Sequence, residues 1–243
     1  MFIRILGSMD DSKINSIRFK CICFIFLFVN FQQDAEAQKS DLGIWLNYNS
    51  QLRFSEHVGL QIDYQFRNYE FINDFEQSII RAAAFYNFTK DKVQISVGAA
   101  YANTSRYVGD SEIKNNFSER RFHQQVLLLN RWGRVHINHR YRIEERFFSN
   151  ENRIRFRYNL NIQVPINKKE IEKGALYLSM TDEIFIHNKT PRFDRNRVIA
   201  EVGYALSPTL RIESGVLLQM YEKNERAQIR FSILQIINIR KHD

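Results

Sequence analysis

Residues 153 to 164 read Arg, Ile, Arg, Phe, Arg, Tyr, Asn, Leu, Asn, Ile, Gln, Val. A helix would scatter these residues around its axis, whereas a strand puts Ile154, Phe156, Tyr158, Leu160, Ile162 and Val164 on one face. Arg153, Arg155, Arg157, Asn159, Asn161 and Gln163 then form the other face. Such a segment needs two different environments, one for each side of a sheet.

The same period of two runs through most of the chain after Leu42. In 42–54 it is broken mainly by Trp45 and Ser50. In 58–67, Val58, Leu60, Ile62, Tyr64 and Phe66 oppose Gly59, Gln61, Asp63, Gln65 and Arg67. Segment 77–88 alternates with Ile79 and Phe85 on its polar side, and 93–102 follows after a turn at Thr89–Lys92. The continuous apolar run Val126–Leu129 makes 119–130 ambiguous, while 135–146 alternates clearly. Further strands are expected over 175–186, 195–206, 209–221 and 227–239, giving eleven readable strands with 153–164 included. Most are longer than the usual 5 or 6 residues of a soluble strand and suit a tilted crossing of a bilayer, which takes about 9–11.

The expected architecture is an all-β, antiparallel transmembrane barrel of 10–12 strands. Short connections at 55–57, 89–92, 131–133 and 207–208 alternate with longer ones at 68–74, 103–118 and 187–194, as when short turns occupy one rim and longer loops the other. Only 166–174 is too long for the scheme. Single-chain bacterial barrels favour an even count, so twelve strands are expected, the last supplied by a short strand before Leu42. An N-terminal segment threading the lumen and a ten-stranded barrel are the other solutions. Tyr48, Phe66, Tyr69, Phe71, Phe88, Tyr101, Phe147 and Phe148 are candidate interface girdles. A soluble β-sandwich or lipocalin-like barrel would share the periodicity with its apolar faces turned inward.

Mean hydropathy is −0.41 and 26% of the residues are charged, which excludes a polytopic helical membrane protein but not a barrel, whose alternating strands average to a soluble-looking value. Residues 1–37 read as an export leader. Arg18 and Lys20 precede an apolar run from Cys21 to Phe31, and Ala35-Glu36-Ala37 forms a small-residue cleavage site that leaves Gln38 first. Met9 is an alternative start. Both cysteines, Cys21 and Cys23, fall in the leader, so residues 38–243 carry no thiol chemistry and no disulfide. The leader holds four basic and four acidic residues, so the net charge of +8 is unchanged by its removal.

Runs ERRFHQQVLLLN at 119–130, HRYRIEERF at 139–147, RIRFRYNL at 153–160, DEIFIHN at 182–188 and FDRNR at 193–197 resemble the domain-of-unknown-function 2490 family. The resemblance spans about 40–239 and rests on the order and spacing of these runs. It implies an exported outer-membrane β-barrel of a Gram-negative bacterium, and it implies no chemistry.

With apolar faces toward lipid, the polar faces line a basic lumen. Its candidate residues are Arg140, Arg142, Arg146, Arg153, Arg155, Arg157, Arg195, Arg197 and Arg211, with Arg230, against Glu144, Glu183, Glu201 and Glu213. A planar guanidinium pairs bidentately with a carboxylate, so these residues either fill the barrel with ion pairs or leave a surplus that favours passage of small anionic solutes. The expected role is solute passage or envelope structure, with outer-membrane lipid and anionic solutes as partners. His139 lies on the apolar side between Ile137 and Tyr141, the best candidate for a lipid-modifying site, but no serine stands beside it. No metal-ligand spacing and no phosphate-loop or nucleophile-elbow motif is present, so neither cofactor nor metal is expected. The basic residues are spread along strands, which argues against nucleic acid.

Overall fold

Alternating β-branched and aromatic residues form eleven strands in a computed structural model that describes residues 42–88, 92–109 and 111–239. The expected leader lies outside the described residues. The strands are β1 (Gly43–Arg53), β2 (Val58–Asn68), β3 (Phe75–Phe88), β4 (Val93–Tyr107), β5 (Lys114–Trp132) and β6 (Val135–Phe147). They continue as β7 (Asn152–Pro165), β8 (Leu176–His187), β9 (Phe193–Ala205), β10 (Leu210–Met220) and β11 (Glu225–Asn238). Each pairs antiparallel with its sequence neighbours, and the sheet closes where β1 runs parallel to β11, from Gly43↔Gln228 to Arg53↔Asn238.

This closure corrects the expected count of twelve. An open first strand would expose a row of unpaired backbone groups. Because β1 finds its second neighbour by running parallel to β11, every strand among the described residues is paired and no twelfth is needed.

The expected contrast between rims is also corrected. Connections 54–57, 89–92, 133–134, 166–175 and 206–209 meet at one rim, hereafter the turn rim, and 69–74, 108–113, 148–151, 188–192 and 221–224 at the other, the loop rim. Loop-rim connections reach only six residues, and the longest in the barrel, 166–175, lies at the turn rim. Segment 103–118, expected as a loop, is mostly strand, with Tyr107 paired to Lys114. Ladder bonds carry a hairpin through polar residues that hydropathy reads as loop. The turn-rim connection 166–175 is ordered by Arg134, whose guanidinium donates to the carbonyls of Pro165, Ile166 and Lys168.

The two faces are inverted relative to a water-soluble barrel. Outward positions are apolar and exposed, including Leu60, Ile80, Val97, Ile143, Phe156, Met180, Val202 and Phe231. Inward positions are polar and buried, including Asp63, Arg81, Glu119, Arg155 and Gln228. Ile79 and Phe85, which break the alternation of β3, point inward and are buried. Among the expected girdle residues, Phe88 and Phe147 end their strands, whereas Tyr48 and Tyr101 lie within theirs.

One close approach tests the inward packing. Gly203 is paired with Tyr177, whose wholly buried ring lies over it while its hydroxyl donates to Glu213 at 2.8 Å. A Cβ at Gly203 would run into that ring. Gly203→Val is expected to lower stability by about 1–3 kcal/mol through overpacking. Val202→Ala on the outer face should change it less, as read from urea unfolding midpoints of the reconstituted barrel.

Candidate functional site

Rows of inward arginines on β6, β7 and β9 meet around two carboxylates, one on β6 and one on β8. Glu144 on β6 accepts from Arg155 at 2.5 Å, from Arg157 at 2.6 Å and from Arg142 at 3.5 Å. Glu183 on β8 accepts from Arg157 at 2.6 Å and from Arg140 at 2.7 Å, with Arg197 3.9 Å away. Arg157 thus bridges the two carboxylates, because β7 lies between β6 and β8 and its ladder partners Arg142 and Phe185 face inward beside Glu144 and Glu183. Arg142 is also held by Gln125 at 2.6 Å. Toward the loop rim, Glu119 joins Arg146 at 2.7 Å and also pairs with Arg121.

Of the residues expected from sequence, Arg140, Arg142, Arg146, Arg155, Arg157, Arg195 and Arg197 line this interior with Glu144 and Glu183. Arg153 sits near the loop rim and pairs with Glu151. Glu201 and Glu213 form a separate group. Glu201 takes Arg230 at 3.1 Å, and Glu213 takes Tyr177 and Gln163. Arg211 lies 6.0 Å from the Tyr177 ring and joins no carboxylate among the described residues.

The sequence reading missed two acids for one reason. Parity places Glu76 with Ile80 and Asp194 with Val198, on the outer face. A bulge intervenes in each case, at Arg67/Asn68 opposite Glu76 and at Phe185/Ile186 opposite Asp194, and the extra residue is turned toward the lumen. Glu76 receives Arg226 at 2.6 Å and Gln228 at 3.1 Å, and Asp194 receives Arg155 and Arg195, each at 3.0 Å. An acid at an outer-face parity, near a strand end, is the available signal for such a bulge. Glu119 and Arg121 were hidden by the ambiguous reading of 119–130, although their own spacing of two was visible.

Among the described residues, buried arginines outnumber buried carboxylates nine to seven, so some carboxylates serve several arginines. Aromatic faces take the remainder. The Phe185 ring has guanidinium carbons of Arg157 and Arg197 at 4.5 Å, Arg155 at 5.3 Å and Arg195 at 5.9 Å. Trp45 has Arg67 at 3.4 Å and Arg197 at 4.8 Å. Such stacking suits the planar, weakly hydrated guanidinium and not a lysine ammonium. Trp45 and Phe185, like Phe85 and Tyr177, are buried aromatic rings on otherwise polar faces.

The outer wall carries the other feature of note. Two depressions of about 720 and 480 Å³ lie on it; the first is lined chiefly by Tyr48, Tyr64, Phe66, Tyr204 and Phe231. His139 also faces outward, with Nδ1 2.9 Å from the Tyr158 hydroxyl and Leu128 and Leu160 as its cross-strand neighbours.

Fold and interior together define an inside-out, closed eleven-stranded β-barrel filled by arginine, carboxylate and aromatic side chains. A family described as a protein of unknown function, DUF2490, matches residues 42–230, and the chain belongs to it. No curated protein and no solved structure matches the chain.

Removing the central carboxylate takes a buried ion pair from both Arg155 and Arg157 and leaves each with one acid, Asp194 and Glu183 respectively. Glu144→Gln is expected to cost about 3–5 kcal/mol, the range for breaking a buried pair on one side. Glu151→Gln, at the solvent-facing rim, should leave the unfolding midpoint nearly unchanged. Urea unfolding followed by tryptophan fluorescence compares the two.

Proposed function

We propose that the chain is an integral outer-membrane barrel of a Gram-negative bacterium, exported by a leader over 1–37, and that it serves the envelope as a non-conducting barrel without catalysis. The observation that carries this reading is the burial of inward side chains in the loop-rim half. Glu144, Phe185, Gln219 and Gln228 are no more than 1% exposed, although they face the barrel axis. A lumen open to water would wet them.

Membrane embedding is supported by the girth of exposed apolar side chains and by strands of 11–19 residues. In water such a surface would aggregate. The turn rim, where β11 ends, is assigned to the periplasm because four of its five connections span no more than four residues, although 166–175 is longer, and short turns of bacterial barrels face that side. Oriented this way, the packed half faces outward and closes the barrel against passage. The arginine surplus that suggested an anion route from sequence is here taken up by aromatic stacking.

The full chain, expressed with its own leader and purified in detergent, is expected to shift on an unheated gel and to stay electrically silent in a planar bilayer. Discrete anion-selective current steps would overturn the closed reading. Recovery of the protein from cells without detergent would overturn the membrane assignment.

A further inference from the structure

Toward the turn rim the burial continues on β8 and β9, where Tyr177, Ser179 and Glu201 stay buried, but not around the rest of the wall. There the inward side chains of β1, β2, β6 and β7 become half-exposed, among them Asn49, Gln51, Gln61, Asn138, Asn159 and Asn161. Across the same region Arg140 keeps 26% of its side chain exposed, and Arg211 on β10 is half-exposed. Across the lumen, Gln163 of β7, the ladder partner of His136, donates to Glu213 of β10 at 3.3 Å, two residues from Arg211. Arg140, Asn159 and Glu183 occupy one cross-strand row, which forms a floor backed by Arg157.

The groups in this space are unevenly satisfied. Glu183, at the floor, is already engaged by two arginines. The side chains of Asn159 and Gln61 make no hydrogen bond among the described residues, and Arg140 Nε and His136 Nε2 are shielded without a hydrogen-bond partner. Cations with spare donors surrounded by carboxamides, each offering two donors and an acceptor oxygen, suit an anion attached to a hydroxyl-bearing body.

We propose that the turn-rim half of the lumen is a blind cup that binds a small anionic polyol, a phosphate or carboxylate borne on a sugar-like body. Arg140 and Arg211 take the anion, and Asn159 with its neighbouring carboxamides takes the hydroxyls. The cup rests on the closed loop-rim half proposed above, which makes it a binding site and not a channel mouth. In that orientation it opens to the periplasm, and its ligand arrives and leaves by the same rim.

Isothermal titration of the detergent-solubilised full-length protein tests this with three probes: glucose 6-phosphate, glucose and inorganic phosphate. Glucose 6-phosphate is expected to bind at least ten-fold more tightly than either of the others. Arg140→Gln with Arg211→Gln should weaken it at least ten-fold, and Asn159→Leu should weaken glucose 6-phosphate while leaving inorganic phosphate unchanged. Lys189→Gln, at the loop rim, should leave all three unchanged. If the double variant lacks the heat-sensitive gel shift, Arg211→Gln alone, near the strand end, gives the reading. Absence of heat with every probe on a folded barrel overturns the cup, as does equal binding to the arginine variant. Glucose bound as tightly as its phosphate overturns the anionic ligand, and inorganic phosphate bound as tightly as glucose 6-phosphate overturns the polyol. Conductance separates the two proposals: an open channel that still binds glucose 6-phosphate through Arg211 removes the closed reading alone.

Discussion

The buried pairing of guanidinium with carboxylate is the constraint on which the rest of this barrel depends. A barrel of about eight strands is narrow enough for ordinary side chains to fill, and one of eleven is wider. Filling it takes side chains that are long, planar and able to satisfy one another away from water. Arginine meets the first two needs and a carboxylate supplies the third. Glu144 and Glu183 sit between strands carrying Arg140, Arg142, Arg155, Arg157 and Arg197, so each carboxylate answers several guanidiniums. Pairing of this kind is weak evidence for net stability, because desolvation offsets much of the attraction. Its structural consequence is registry: an inward carboxylate displaced by one residue would face the apolar exterior and leave its arginines buried without a partner.

Aromatic faces and bulges complete the same scheme. Phe185 and Trp45 each lie among several guanidiniums, which lets cations crowd without one acid apiece. The bulges at Glu76 and Asp194 add an inward acid where alternation alone would have turned it outward. Arg226 to Glu76 links β11 with β3, and Arg155 to Asp194 links β7 with β9. These contacts join strands that are not ladder neighbours, so they hold the barrel across its interior.

Much of this was legible in the sequence, because the information is local. The alternation of 153–164 placed Arg155 and Arg157 on one face, and the same rule placed Arg140, Arg142 and Glu144 beside them. Eleven strands could be counted, and the count was then adjusted to twelve by a rule of parity. What defeated that adjustment is non-local: the pairing of 43–53 with 225–238, between opposite ends of the chain, leaves no trace in either segment. The bulged acids were illegible for a related reason, since a period of two fails where one residue is inserted. Local patterning also said nothing about how far burial runs along the axis, which separates the packed half from the half-exposed one. That depends on how strands β1, β6, β7 and β10 face one another across the lumen.

Parallel closure also carries a cost that the side chains offset. A parallel ladder is slightly less stable per residue than an antiparallel one, and β1 with β11 is the only such pair among the described strands. The seam is reinforced from both faces. Outside, the Tyr48 hydroxyl donates to Gln235 at 2.7 Å across it. Inside, Trp45 packs with Ile199 of β9 and Leu217 of β10, while Arg230 of β11 lies 6.0 Å from its ring. Trp45 therefore belongs to the closure as much as to the arginine cluster, which accounts for a large apolar ring on an otherwise polar face. An odd strand number also sends the two ends of the barrel to opposite rims, with Gly43 at the loop rim and Asn238 at the turn rim. The interior is asymmetric along the same axis, dense where β1 and β11 begin and half-exposed where they end.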